Sequence, residues 1–184
     1  MFNTISPKYD LLNYLLSFGR DQSWRKRAMR SLNPQPEDVF VDLACGTGDL
    51  ALTALKKTDG PGSIIGIDFS ISMLKLAQVK YQNKNLDIPW QFINGDATAL
   101  PLANSSVDSV SIAFGIRNVV DVPKALIEIS RVLKPGGKLM ILEFSPPTGK
   151  VFGPMFHFYF RKILPAVGGI ISGEKKAYEY LPQS

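Results

Sequence analysis

The densest chemistry in the chain lies in Val39-Phe40-Val41-Asp42-Leu43-Ala44-Cys45-Gly46-Thr47-Gly48-Asp49-Leu50-Ala51. An apolar run carries an acid, a glycine turn follows, and helical spacing resumes. Gly46 and Gly48 let backbone approach a ligand where a Cβ would collide. As a bare pattern, Gly-x-Gly-x-x-Ala also fits a dinucleotide fingerprint, and Asp68 follows Gly48 at about the 20-residue spacing of a ribose-binding acid. Charge separates the two ligands. A dinucleotide would press its pyrophosphate against a turn flanked by Asp42 and Asp49. S-adenosylmethionine carries no phosphate; its sulfonium and α-ammonium groups are cations that nearby carboxylates favour. The turn therefore reads as a cradle for S-adenosylmethionine, with Asp42 on its acidic side.

Asp68, in Gly66-Ile67-Asp68-Phe69-Ser70, is suited to both ribose hydroxyls, two donors on one carboxylate. In Asn94-Gly95-Asp96-Ala97, Asp96 or the Ala97 amide is expected at the adenine edge. A lone Gly-Asp is an ordinary turn signal. Here it follows the next strand at the same end, where open sheets bind ligands.

The elements that must position these residues alternate along the chain. Candidate strands are Val39–Ala44, Ser63–Ile67, Trp90–Asn94, Val107–Ala113 and Lys138–Phe144, short and rich in β-branched residues. Helical segments fall near Asp49–Lys57, Ser72–Tyr81 and Val122–Leu133. In the last, Val122, Ala125, Leu126, Ile129, Val132 and Leu133 share a face. Asp121 is its expected N-cap, Pro123 suits its first turn, and Pro135-Gly136-Gly137 its stop. Alternation of this kind predicts an α/β, Rossmann-like parallel sheet flanked by helices. The expected organisation is one domain: a helical cap over 1–35, a cofactor-binding core over 36–145 and a substrate or lid segment over 146–184.

Composition bounds the class. The 184 residues are 45% hydrophobic and 20% charged, ordinary for a globular protein. One cysteine forms no internal disulfide, MFNTISPKYD lacks a signal-peptide pattern, and no run reaches the ~18 apolar residues of a membrane span. A cytoplasmic protein is expected. The net charge of +5 includes a cluster of Arg20, Arg25, Lys26, Arg27 and Arg30, read as a solvated helix face, an anionic-membrane contact or a nucleic-acid contact.

DLACGTGD, Asp68, the Gly-Asp-Ala of 95–97 and Leu133-Lys134-Pro135-Gly136-Gly137 together resemble the class I methyltransferases. More narrowly, MFNTISPKYDLLNYLLSFGRDQSWR at 1–25, FGIRNVVD at 114–121, LEFSPP at 142–147 and AYEYLPQS at 177–184 are similar to the C-methyltransferases of menaquinone and ubiquinone biosynthesis. The resemblance implies cofactor contacts at Thr47, Asp68, Asp96 and Ala97. Relatives often carry serine at the position of Ala113, so only a backbone contact is expected there. The implied substrate is a demethylated prenylated quinol, with contact at the inner face of a membrane and a homodimer both open, and no nucleic acid.

Methylating a quinol carbon requires loss, or near loss, of a phenolic proton with a pKa of about 10. Alignment and a partner for the phenolate would supply the acceleration. Arg117 could stabilise the phenolate or pair with Glu143, Asn118 could orient the ring oxygen, and Glu143 is expected at the same cleft. His157, among Phe156, Phe158 and Tyr159, reads as a packing residue; Tyr178 and Tyr180 are weaker candidates. Cys45 reads as a small core residue, and no cluster has metal-ligand spacing. Phe152 to Ile171 and the amphipathic Lys8 to Leu32 could hold an isoprenoid tail.

The family resemblance also implies a further helix and two more strands, which these residues lack. The strand at Lys138–Phe144 is then expected to be a bare edge, in a truncated chain, a pair of copies or a shortened relative. Two rival readings stand beside the quinol enzyme: a methyltransferase for another small molecule, and a truncated non-catalytic subunit that binds S-adenosylmethionine. Against a nucleic-acid acceptor, Ala113-Phe114-Gly115-Ile116 stands where amino-methylating enzymes carry an Asn/Asp-Pro-Pro-aromatic motif.

Overall fold

The structure, a computed structural model, describes residues 17, 19–55, 60–84 and 87–143. Helix α1 (Arg20–Leu32) leads into β1 (Val39–Leu43), α2 (Asp49–Leu55), β2 (Ser63–Asp68), α3 (Ile71–Gln82) and β3 (Trp90–Asn94). Then follow β4 (Val107–Ala113), a 3₁₀ turn at Ile116–Asn118, α4 (Val122–Val132) and β5 (Leu133–Leu142). The five strands are parallel in the order β3-β2-β1-β4-β5. Strand order reverses between β1 and β4, and the crevice for a ligand in such a sheet lies at that switch, outside the carboxyl ends.

Period-two alternation sorts the core into two layers. Phe40 and Ile64 pack with Met29 and Leu32 of α1, Leu50, Ala51 and Ala54 of α2, and Trp90. Val41, Leu43, Ile67, Val110 and Ile112 pack on the other side with Ile129 and Val132 of α4. The same alternation puts Asp42 on the Phe40 side, where Gly66 and Ser111 stand beside it in register. An acid has thus been placed in an apolar layer, with a glycine on one flank and a hydroxyl on the other.

The expected N-cap holds: Asp121 accepts the Lys124 amide at 3.0 Å. On α4, Ala125, Ile129 and Val132 are buried as their spacing predicts, whereas Leu126 is 39% exposed. The Pro-Gly-Gly stop works differently from expectation. The helix ends at Val132, and the chain passes directly into β5 at Leu133, which pairs with Val107. Pro135-Gly136-Gly137 then forms a bulge inside β5 before pairing resumes at Ser109↔Lys138. Among the described residues β5 is an edge strand, with Leu139 and Ile141 38% and 45% exposed.

Beneath the glycine turn, Trp90 closes the layer. It stacks on Phe92 with centroids 4.9 Å apart and meets Tyr81 edge-on. A Cβ at Gly48 would lie 2.8 Å from the Trp90 ring and 3.3 Å from Ala77 Cβ, and Gly48 also sits at φ +80°. Only glycine meets both conditions. Gly48→Ala should therefore lower stability by about 2–4 kcal/mol, from overpacking added to backbone strain, read as the shift in urea midpoint at constant slope.

Candidate active site

The carboxyl ends of three strands are stitched together by backbone. The Cys45 amide donates to Ile67 O at 3.1 Å, and the Gly95 amide to Asp68 O at 3.2 Å. The Asn94 side-chain amide adds bonds to Asp68 O and Phe69 O at 3.0 and 2.9 Å. Across this seam Asp68 spreads its carboxylate. Oδ2 accepts the Gly46 amide and Oδ1 the Ser70 amide, both at 2.8 Å. Each oxygen retains a second lone pair, the capacity that two ribose hydroxyls need. Burial pushes the Asp68 carboxyl above its ordinary pKa, and the two amides offset only part of that.

Gly46 has φ +55°, and among the described residues a Cβ there would meet no atom within 4 Å. Unlike Gly48, this glycine keeps room clear rather than fitting a tight contact. An open cradle, a turn amide fixed by a carboxylate, and acids at Asp42 and Asp68 are what a cationic nucleoside requires, so the residues fit S-adenosylmethionine.

Asp42 is 1% exposed. Ser111 Oγ donates to Oδ1 at 2.8 Å, while Oδ2 is buried without a hydrogen bond of good geometry. Burial raises its pKa to about 7; the Ser111 bond, the Ala51 amide and the Arg25 charge pull it down, and the Asp68 charge pushes it up. Burial, then the charges of Asp42 and Asp68, push the Cys45 thiol well above its usual value, in keeping with a core residue rather than a nucleophile.

Asp49 behaves otherwise than its sequence suggested. Its Oδ1 takes Lys80 Nζ at 2.6 Å and its Oδ2 takes Arg25 Nη1 at 2.8 Å. Burial would raise its pKa, but the charges and hydrogen bonds of Lys80 and Arg25 prevail and hold it below the ordinary range. Its charge is paired with those cations, so among the described residues the acidic character of the turn comes from Asp42 and Asp68. Arg25 is likewise withdrawn from the basic cluster on α1: it is buried, and only Arg20, Lys26, Arg27 and Arg30 remain exposed.

The remaining expected residues occupy two further loops. Asp96 is exposed and accepts both the Thr98 amide and hydroxyl on Oδ1, at 2.8 and 3.0 Å; the amide bond is the main cause of its lowered pKa. Ala97 packs on the core layer formed by Val41, Leu43 and Ile67. Glu128 and Arg131 of α4 hold the following segment through the Leu100 amide and the Leu100 and Leu102 carbonyls. Ala113 ends β4 opposite Leu142, and the Phe114 amide bonds Leu142 O at 2.7 Å. Past that point Arg117 Nη1 lies 3.6 Å from Glu143 Oε1, both about one-fifth exposed, and Asn118 is exposed. The ring of Trp24 on α1 meets Phe114 at 6.3 Å. His157, Tyr178, Tyr180 and the segment 152–171 lie outside the described residues.

Three participants were not singled out from sequence. Lys80 sits in an ordinary helical pattern with no motif to mark it. Ser111 could have been found, since a hydroxyl inside the buried run Val107–Ala113 demands a partner. Phe69, beside Asp68, is 82% exposed, an unusual state for an aromatic ring.

Comparison with known proteins places this arrangement. The family model described as "ubiE/COQ5 methyltransferase family" matches residues 1–184. The chain belongs to the ubiE/COQ5 methyltransferase family. It is 48% identical to the demethylmenaquinone methyltransferase of Thermus thermophilus over all of this chain and 82% of that protein. It is 46% identical to the ubiquinone/menaquinone biosynthesis C-methyltransferase UbiE of Geotalea daltonii over all of this chain and 78% of that protein. The crystal structure of a putative S-adenosyl-L-methionine-dependent methyltransferase from Methanococcus maripaludis shares the fold, with TM-score 0.64 and 22% identity over the whole chain and 76% of that structure. As a ubiE/COQ5 family member with a class I methyltransferase fold, the chain is an S-adenosylmethionine-dependent methyltransferase.

Asp42 carries a pH signature. Its carboxyl pKa is higher folded than unfolded, so the folded state keeps a proton that the unfolded chain has lost. Stability should fall as pH rises from about 4 to about 7 and then level off. In Asp42→Asn that slope should disappear, leaving the variant more stable than the parent at pH 8 by up to about 4 kcal/mol, measured by urea unfolding across the range.

Proposed function

We propose that this chain methylates a ring carbon of a demethylated prenylated quinol, in the biosynthesis of menaquinone or ubiquinone. What carries the reading is the full-length match to relatives that are named for that reaction and nearly half identical in sequence. S-adenosylmethionine, when bound, supplies an electrophilic methyl on a sulfonium. Asp68 takes the ribose hydroxyls, the Gly46–Gly48 turn receives the amino-acid end, and Asp42 balances its positive charge. The Asp96–Ala97 loop borders the adenine, the exposed Phe69 ring offers it a stacking face, and Ala113 contributes backbone.

Arg117 is the proposed partner of the substrate's developing phenolate, and Glu143, at 3.6 Å, orients that guanidinium. Asn118 orients the ring oxygen. With the phenolic proton released to solvent and the oxygen's charge held by Arg117, the ring carbon would take up the methyl group that S-adenosylmethionine supplies; the proton that this carbon then loses is balanced by the one the oxygen regains, so one proton is released per methyl transferred. Alignment of carbon and methyl supplies much of the rate.

The exposed Arg20, Lys26, Arg27 and Arg30 on α1 support approach to an anionic membrane surface, where a prenylated substrate resides. Among the described residues β5 is the edge strand, which supports pairing with a second copy.

The test is methyl transfer from labelled S-adenosylmethionine to demethylmenaquinol and to a ubiquinol precursor. One of the two should be labelled at carbon; cofactor binding without transfer to either would overturn the reading. Asp68→Asn should weaken S-adenosylmethionine about 10–100-fold by calorimetry, from loss of charge-assisted bonds. Arg117→Ala should keep that affinity and lower kcat by about 10²–10³, the scale of one lost oxyanion contact.

A further inference from the structure

The loop after β3 is suspended between two elements. At its near end the Gly95 amide bonds Asp68 O, and the Asn94 side chain bonds Asp68 O and Phe69 O, so β2 holds that foot. Within the loop the Ala99 amide returns to Asp96 O at 3.1 Å, and Asp96 Oδ1 takes the Thr98 amide and hydroxyl. Among the described residues, Asp96 Oδ2 and the Ala97 amide carry no hydrogen bond.

The far end is held by α4, through two side chains about one helical turn apart. Arg131 Nη2 donates to Leu100 O at 3.0 Å, and Nη1 donates to Leu102 O and Asn104 Oδ1, both at 2.8 Å. Glu128 Oε2 accepts the Leu100 amide at 2.8 Å. The two side chains fix each other through Nε to Oε1 at 2.8 Å and Nη2 to Oε2 at 2.7 Å. The carbonyls of Arg131 and Val132 then take the Ser105 and Ser106 amides. Both backbone polar groups of Leu100 are thus gripped, and its side chain is buried in the layer on which Ala97 packs. A solvated ion pair on a helix contributes little by itself. This one directs its remaining hydrogen bonds at the loop's backbone. The Arg131 bonds, then the Leu100 amide, lower the Glu128 pKa to about 2, so the pair is ionised at any pH suited to binding.

We infer that Arg131 and Glu128 are positioning residues for purine recognition: by fixing Leu100 they set where the Asp96–Ala97 edge stands, and with it the choice of adenine over an oxo-purine. The inference rests on the reading that this loop borders the adenine. On that reading the adenine amino group donates to Asp96, and its neighbouring ring nitrogen accepts the Ala97 amide. Hypoxanthine reverses both polarities, offering a carbonyl to the carboxylate and an N–H to the amide. Such a mismatch discriminates strongly only while the edge is held still, since an edge free to shift relieves it. Arginine suits the task because its planar fork reaches two carbonyls and a carboxylate at once, which a lysine ammonium does not.

The experiment is calorimetric titration of the full chain with S-adenosylhomocysteine and with S-inosylhomocysteine, in which a carbonyl replaces the adenine amino group. The proteins are the parent, Arg131→Lys, Arg131→Met, Glu128→Gln and Lys134→Met. The parent should prefer the adenosyl ligand by about 10²-fold or more. The Arg131 and Glu128 variants should reduce that preference about tenfold, through weaker adenosyl binding with no matching loss for the inosyl ligand. Lys134→Met breaks the 2.8 Å pair with Asp108 at the amino end of β4, away from the loop, and should keep the parent's preference. If Arg131→Met loses its cooperative melt, Arg131→Lys and the isosteric Glu128→Gln carry the same test. Folded Arg131 and Glu128 variants with the parent's preference, or with both ligands weakened equally, would overturn the inference. A parent that binds the two ligands equally, or binds neither, would instead overturn the reading of the loop.

Discussion

Three carboxylates crowd the ends of β1 and β2, and the way each is neutralised organises everything around them. Asp49 is held by two cations, Asp68 by two backbone amides, and Asp42 by one hydroxyl, with burial raising its pKa to about 7. Unpaired charges so close together in a dry layer would cost several kcal/mol each. Each solution fixes a different piece of backbone: the start of α2, the junction of the turn with β2, and the seam between β1 and β4.

This arrangement separates holding from binding. Lys80 and Arg25 neutralise Asp49 and brace the turn. Asp68 holds the junction and, in the function proposed above, also binds the ligand, because amide donors occupy one lone pair of each oxygen and leave the other. Gly48 packs on Trp90 and Gly46 keeps the cradle open, so two glycines of one motif answer to different constraints.

Much of this was legible in the chain. DLACGTGD, Asp68 and the Gly-Asp-Ala turn announced the sheet and the end of it at which the candidate site lies, because a buried strand, a glycine turn and an acid at a fixed spacing mark the carboxyl ends of parallel strands. Strands Trp90–Asn94 and Val107–Ala113 matched to the residue. What could not be read was partnership across long separations. Arg25 looked like one member of a basic patch, because neighbours in sequence say nothing of a carboxylate 24 residues away. Asp49 looked like free charge for the same reason. The Pro-Gly-Gly stretch read as a helix stop, yet pairing of Leu133 with Val107 recruits it into a strand, since tertiary pairing outweighs local turn preference.

The placement of Trp90 has a practical corollary. The chain contains two tryptophans: one lies directly under Gly48, and the other, Trp24, rests against Phe114 at the exit of β4. Each indole is in contact with a loop at the binding end of the sheet, and neither is fully exposed. Ultraviolet emission from this molecule is therefore a built-in optical gauge of the site, with no added dye, and replacing either indole by phenylalanine would tell which loop is being watched.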